Sequence, residues 1–144
     1  MGAAKAAVVM NAYPAPPGRF RYGPDVAVLW NRFANYRRGA EPILSVAYFC
    51  YSYVCLTGGG RAAAAAKYNV EEALLKQLST LAATGGDWSE ARKAEKDSKA
   101  VPLTAVEREW LERALKLLIE RLAAYGADPA APLPQITLAD LPKL

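Results

Sequence analysis

The sequence predicts an all-α fold, a compact bundle of about four to five helices around a central apolar helix, with extended N- and C-terminal arms. Three observations carry this. Apolar residues recur at three- and four-residue spacing in two long segments, 25–38 and 104–125, the repeat of a helix with one buried face. Between them, residues 43–56 hold no charge at all. Proline and glycine gather toward the two ends and at 39–42, 58–60 and 85–86, where they punctuate helices.

The stretch to Gly23 crowds Pro14, Pro16, Pro17 and Gly18 together, which predicts an extended arm over 1–23. Ala6 to Tyr13, with Val8, Val9 and Met10, suits a short strand or an arm laid over the helices, because these side chains need cover from water. The helical core is expected over 25–125. Its first helix starts at Asp25, whose carboxylate accepts from first-turn amides. Val26, Leu29, Trp30, Phe33 and Tyr36 share one face of it. Arg37, Arg38 and Gly39 close it, with positive charge at the C-terminal dipole and a residue suited to a left-handed cap.

Glu41-Pro42 marks the next start, since proline fits the first helical position. From Ile43 to Leu56 every face is apolar, so this helix must be central. It is too short for a bilayer, which needs about 20 apolar residues. Gly58, Gly59 and Gly60 read as a flexible connection and not a phosphate loop, because no Lys-Ser/Thr follows. An alanine-rich helix then runs from Arg61 to Lys67. Asn69 with Glu72 resembles a capping box opening a helix whose buried side holds Val70, Leu74, Leu75, Leu78 and Leu81.

Asp87 with Glu90 repeats that pattern before a short charged helix through Lys96, anchored by Trp88. Residues 92–99 mix both signs and read as a solvated connection. The last helix has Thr104 and Glu107 as its capping box and Trp110, Leu111, Ala114, Leu115, Leu118, Leu122 and Tyr125 as its buried stripe. Glu109 with Arg113 and Glu112 with Lys116 supply outward pairs, and Gly126 ends it. In the proline-rich tail, 127–144, Ile136, Leu138 and Leu141 are spaced for an extended chain to dock on the bundle. The 144 residues, 53% of them hydrophobic, suit a single domain.

The chain has no histidine. That removes the commonest general base, the usual Ser and Cys triads and most zinc geometries. Cys50 and Cys55 lie about 140° apart around a helix, so they read as buried thiols and not as a disulfide or a zinc site. Glu107, Glu109, Glu112 and Glu120 are accounted for by capping and surface pairing. Glycine fingerprints for dinucleotides and internal repeats are absent. No catalytic set, cofactor or metal site is therefore assigned. Without a secretory signal in Met1 to Met10, the expected location is cytoplasmic.

Charge is concentrated near the N-terminus, where Lys5, Arg19, Arg21, Arg32, Arg37 and Arg38 face a single acid, Asp25. Arg19, Arg21, Arg32, Arg37 and Arg38 are the candidate contacts to an anion or nucleic acid, since guanidinium groups suit phosphate. A further candidate is an aromatic cavity among Tyr48, Tyr51, Tyr53 and Trp30.

The segments Tyr36-Arg37-Arg38-Gly39 and Ala47-Tyr48-Phe49-Cys50-Tyr51, followed by amphipathic helices, resemble the HEPN-type helical domains of prokaryotic defence and toxin systems. The likeness is one of general layout over residues 25–125 and rests on a buried aromatic-rich helix. Active members carry an Arg-x4-6-His motif that cuts RNA, and this chain has no histidine. The resemblance thus implies a non-catalytic member that binds or assembles. The residues favour a helical interaction domain whose partner is a protein or a second copy of itself, with no membrane involved. The alternative is a nucleic-acid-binding module of a defence or toxin-antitoxin type system.

Overall fold

The computed structural model describes residues 24–84 and 102–144. Within them lie five helices: α1 Pro24–Arg37, α2 Ile43–Gly58, α3 Arg61–Tyr68, α4 Glu72–Thr84 and α5 Ala105–Ala127. A 3-10 turn, Leu138–Asp140, sits in the tail. The expected N-terminal arm and the charged helix anchored by Trp88 lie outside the described residues. Among the described residues there is no strand, only an isolated parallel bridge between Val70 and Ile136.

The central position expected of α2 is observed, since it packs against all four other helices. From α1 come Val26, Leu29, Trp30 and Phe33, and from α5 Trp110, all buried in one continuous apolar core. Burial does not extend around the whole of α2, as the uncharged sequence suggested. Ile43, Leu44, Val46, Ala47, Cys50 and Val54 are buried, whereas Ser45, Tyr48, Phe49, Ser52 and Cys55 are half-buried and Leu56 is 82% exposed. Four neighbours of these lengths enclose one side of α2 and leave the other toward the surface.

Pro42 stands just outside the first turn of α2, at φ −66° and ψ 144°. Its carbonyl accepts from Ser45 N at 3.1 Å. No helix among the described residues is by itself long and apolar enough to cross a membrane. α2 and α3 together would be, but they meet at 82°.

That bend explains the three glycines better than flexibility does. A Cβ on Gly58 would stand 2.3 Å from Ala64 Cβ and 2.4 Å from Ala64 Cα, so the crossing of α2 and α3 has no room for a side chain. Gly59 caps α2 in the left-handed region at φ 87°, its N–H donating to Cys55 O, a conformation that favours glycine.

The capping box expected of Asn69 and Glu72 does not form. Asn69 instead closes α3 at φ 54° and ψ 57°, a left-handed conformation that asparagine tolerates. Its side-chain amide donates to Leu133 O at 2.9 Å. The first turn of α4 is built on the Glu71 carbonyl, which accepts from Leu74 N at 3.0 Å. The box on α5 is present as read: Glu107 N donates to Thr104 Oγ1 at 3.1 Å and Thr104 N to Glu107 Oε1 at 2.9 Å. Trp110, Leu111, Ala114, Leu115, Leu118 and Leu122 are buried, with Ile119 and Ala123 added to them. Tyr125 is only partly buried.

The tail docks on its own body. Ile136 N donates to Asn69 O at 3.1 Å, and Glu71 N to Ile136 O at 2.8 Å. Ile136 and Leu141 are buried, but Leu138 is 37% exposed because the 3-10 turn swings it outward. The fastening comes from an unexpected place. Arg121, only 9% exposed, donates to Tyr68 O at 2.8 Å, to Asn69 O at 3.1 Å and to Pro134 O at 2.6 Å. One guanidinium thus ties the end of α3, the turn after it and the tail to α5. Burial lowers the pKa of this group, and carbonyl dipoles at the C-terminal end of α3 favour its positive charge.

Candidate functional site

Among the described residues, the candidate anion contacts Arg32, Arg37 and Arg38 turn in different directions. Arg19 and Arg21 lie outside the described residues. Arg32 is turned onto α2, where its Nε donates to Glu41 Oε2 at 2.8 Å and its Nη2 to Ser45 Oγ at 3.1 Å. Its guanidinium also covers the Phe49 ring at 4.2 Å. Arg37 is turned toward α5, with Nη1 3.8 Å from Glu112 Oε1. Arg38 is exposed and donates to Asn35 Oδ1. Two of these three candidate arginines thus face carboxylates, which cancels much of the field that phosphate binding needs.

Glu112, expected to pair outward with Lys116, is engaged from α1 instead. Tyr36 donates to its Oε2 at 2.6 Å. Burial raises the Tyr36 pKa, and the Glu112 carboxylate raises it further, against the opposing pull of Arg108. Tyr36, Arg108 and Glu41, with the backbone of the 39–43 turn, line an open cleft of about 320 Å³. Sequence reasoning missed this cluster. Its only trace was the placement of Tyr36 at the end of the α1 stripe, one turn beyond Phe33.

Of the candidate aromatic residues, Trp30 is buried and Tyr48, Tyr51 and Tyr53 are half-buried. Tyr48 and Tyr53 stand about 140° apart on the helix, and each packs partly against the core. Tyr53 adjoins the Asp25 carboxylate; burial raises its pKa first and Asp25 adds to the shift. Cys50 is buried and Cys55 half-buried, both as free thiols. Desolvation pushes the Cys50 thiol up to about 12, so it stays protonated and inert. Among the described residues no three His, Cys, Asp or Glu side chains come together as a metal site.

What α2 does present is an uncharged arc. Ser45, Tyr48, Phe49, Ser52, Cys55 and Leu56 fall within about 120° of one another around the helix, opposite its buried stripe. The edge beside α1 is flanked by Asp25 near Tyr53 and by Arg32 over Phe49. Since α1 residues 25 and 32 meet α2 residues 53 and 45–49 respectively, the two helices run antiparallel. The arc ends in Leu56, the most exposed large apolar side chain among the described residues.

No protein-family model, curated protein or solved structure matches the chain.

Proposed function

We propose that this chain is a non-catalytic helical interaction domain that binds a protein through the outward arc of α2. The observation that carries the reading is Leu56, 82% exposed at the end of a helix with no charged residue from Ile43 to Gly58. A single exposed leucine is ordinary, but one that continues an uncharged aromatic arc extends an apolar patch of the kind that marks interfaces. The pairing of Arg32 and Arg37 with acids favours a protein over a nucleic acid. A binding role is also what resemblance to a histidine-free HEPN-type domain implies.

The test is a photo-crosslinking amino acid at position 56 of the full chain in its native cells, with one at exposed Val28 as the control. Adducts to another polypeptide chain from position 56, and not from position 28, support the reading. Quenching by solvent alone at position 56 refutes it. RNA or DNA binding that weakens steeply with salt, and that Leu56→Arg leaves intact, would shift the assignment to the nucleic-acid module.

A further inference from the structure

We infer that residues 69–71 and Arg121 form a receptor for an extended peptide, which the chain's own tail fills in cis, and that a partner segment with the tail's pattern competes for it. The site shares no residue with the outward arc of α2 and does not rest on that reading. Among the described residues, five hydrogen bonds fasten the tail to the body, and each uses the tail's backbone. Asn69 Nδ2 donates to Leu133 O at 2.9 Å, Arg121 Nη2 to Pro134 O at 2.6 Å and Glu71 N to Ile136 O at 2.8 Å. In return, Ile136 N donates to Asn69 O at 3.1 Å and Leu138 N to Glu71 Oε1 at 2.8 Å. Main-chain pairing of this kind gives affinity for an extended segment, while pockets for particular side chains give specificity. Here the pockets take Ile136 and Leu141, which are buried, whereas Pro134, Gln135 and residues 138–140 are exposed. Between the two anchors, Thr137 N donates to Asp140 Oδ2 at 2.8 Å. That bond is internal to the tail, so the turn over 138–140 is partly formed before docking and costs less to order.

The body's half of the site is built without the tail. Asn69 is held at φ 54° as the cap of α3, its N–H donating to Ala65 O. The Glu71 carbonyl carries the first turn of α4, accepting from Leu74 N at 3.0 Å. Arg121 keeps Tyr68 O as an acceptor at 2.8 Å. If the tail lifts away, Glu71 N, Asn69 O and Arg121 Nη2 stay in place as unpaired groups, and a second extended segment satisfies them in the same way. Lifting is favoured by how little the tail buries, two apolar side chains against Trp110, Leu111, Leu115, Leu118, Ile119 and Leu122 on α5 alone. Segments with few buried apolar contacts open locally at low cost while the core stays folded.

The probe is a labelled synthetic peptide of residues 130–144, titrated with the full wild-type chain and with full-length Ile136→Asp, whose own tail has lost an anchor. Circular dichroism verifies that the variant folds. In the wild type the tethered tail competes at an effective concentration on the order of millimolar. Ile136→Asp should therefore bind the peptide at least about tenfold more tightly than wild type. Adding Arg121→Met to that variant, or placing Ile136→Asp in the peptide, should weaken binding about tenfold or more. Leu56→Arg should leave it unchanged, which separates this site from the arc of α2.

No binding to folded Ile136→Asp, equal binding to wild type, or binding that survives Arg121→Met overturns the inference. If Ile136→Asp does not fold, hydrogen exchange in the wild-type chain decides. Protection of the Glu71 and Ile136 amides at least about tenfold below that of Cys50 and Val54 in α2 supports a tail that opens by itself. Equal protection makes the tail inseparable from the core and overturns the inference.

Discussion

Replacing Arg121 with methionine tests how the tail is held. The substitution keeps much of the aliphatic stem and removes the three donors to Tyr68 O, Asn69 O and Pro134 O. Asn69 O keeps Ile136 N as a donor at 3.1 Å and Pro134 is exposed, so water can replace its lost donor; Tyr68 O carries the main loss. A buried carbonyl left without a partner costs about 1–3 kcal/mol, and relief from burying a guanidinium offsets part of that. The expected net loss is about 1–2 kcal/mol. Urea unfolding of Arg121→Met against wild type measures it. Hydrogen exchange at the Ile136 and Glu71 amides locates it, since those amides should lose protection first. Arg121→Lys should recover only part of the loss, because an ammonium lacks the planar fork that reaches separate carbonyls. Exposed Arg113, paired with Glu109 at 3.4 Å, is the control, and its methionine variant should change stability by less than about 0.5 kcal/mol. A loss at Arg121 no larger than at Arg113, or a lysine variant as stable as wild type, would refute the reasoning.

Gly58→Ala should destabilise by about 1–3 kcal/mol, because the new methyl meets the backbone of α3 and the chain must shift; a thermal melt at or above the wild-type midpoint would contradict the close crossing of α2 and α3. Tyr36→Phe should lose about 0.5–1.5 kcal/mol at neutral pH through its hydrogen bond to Glu112. Because the folded-state pKa of Tyr36 is raised, the wild-type advantage is complete below the ordinary tyrosine range near pH 10 and is lost as pH rises through the folded value. Urea unfolding at neutral and strongly alkaline pH should show the two proteins converging, and a constant difference would place the hydroxyl outside the linkage. Of the two thiols, Cys55 should react with an aromatic disulfide reagent in the native state and Cys50 only at the rate of unfolding; equal rates would show that Cys50 is not enclosed.

The parts of this fold that could be read in advance are those where side-chain periodicity and local capping decide the outcome. Val26, Leu29, Trp30 and Phe33 form a stripe in any helical register, and Thr104 with Glu107 closes a box within one turn. Asn69 shows where local reading fails. Asn69-x-x-Glu72 suits a helix start, but the asparagine also suits a left-handed stop, and the demand that α3 turn into α4 selected the stop. Gly58 fails for another reason: a close approach between two helices leaves no mark on the sequence beyond the glycine itself. Arg121 does leave a signal in the sequence. It lies eleven residues after Trp110, three full turns along, so the stripe that buries Trp110 and Ala114 buries Arg121 too. A charge on that stripe demands acceptors, but backbone carbonyls have no sequence signature and their identity could not be foreseen.

The outward arc of α2 is the hardest feature to read because its composition is the same as that of the buried face. Ile43, Leu44, Val46 and Ala47 are uncharged because they are enclosed by the bundle; Tyr48, Phe49, Ser52 and Leu56 are equally uncharged on the side where it does not enclose them. A helix whose outward side met only water would gain nothing there from apolar residues and would ordinarily carry Glu, Lys or Arg, as α5 does at Glu109, Arg113 and Lys116. The contrast between α2 and α5 within one bundle makes the missing charge informative, since both helices pack on the same core. If Leu56→Lys left association, stability and cellular abundance unchanged, the uncharged arc would have no physical consequence, and the contrast with α5 would no longer point to a partner.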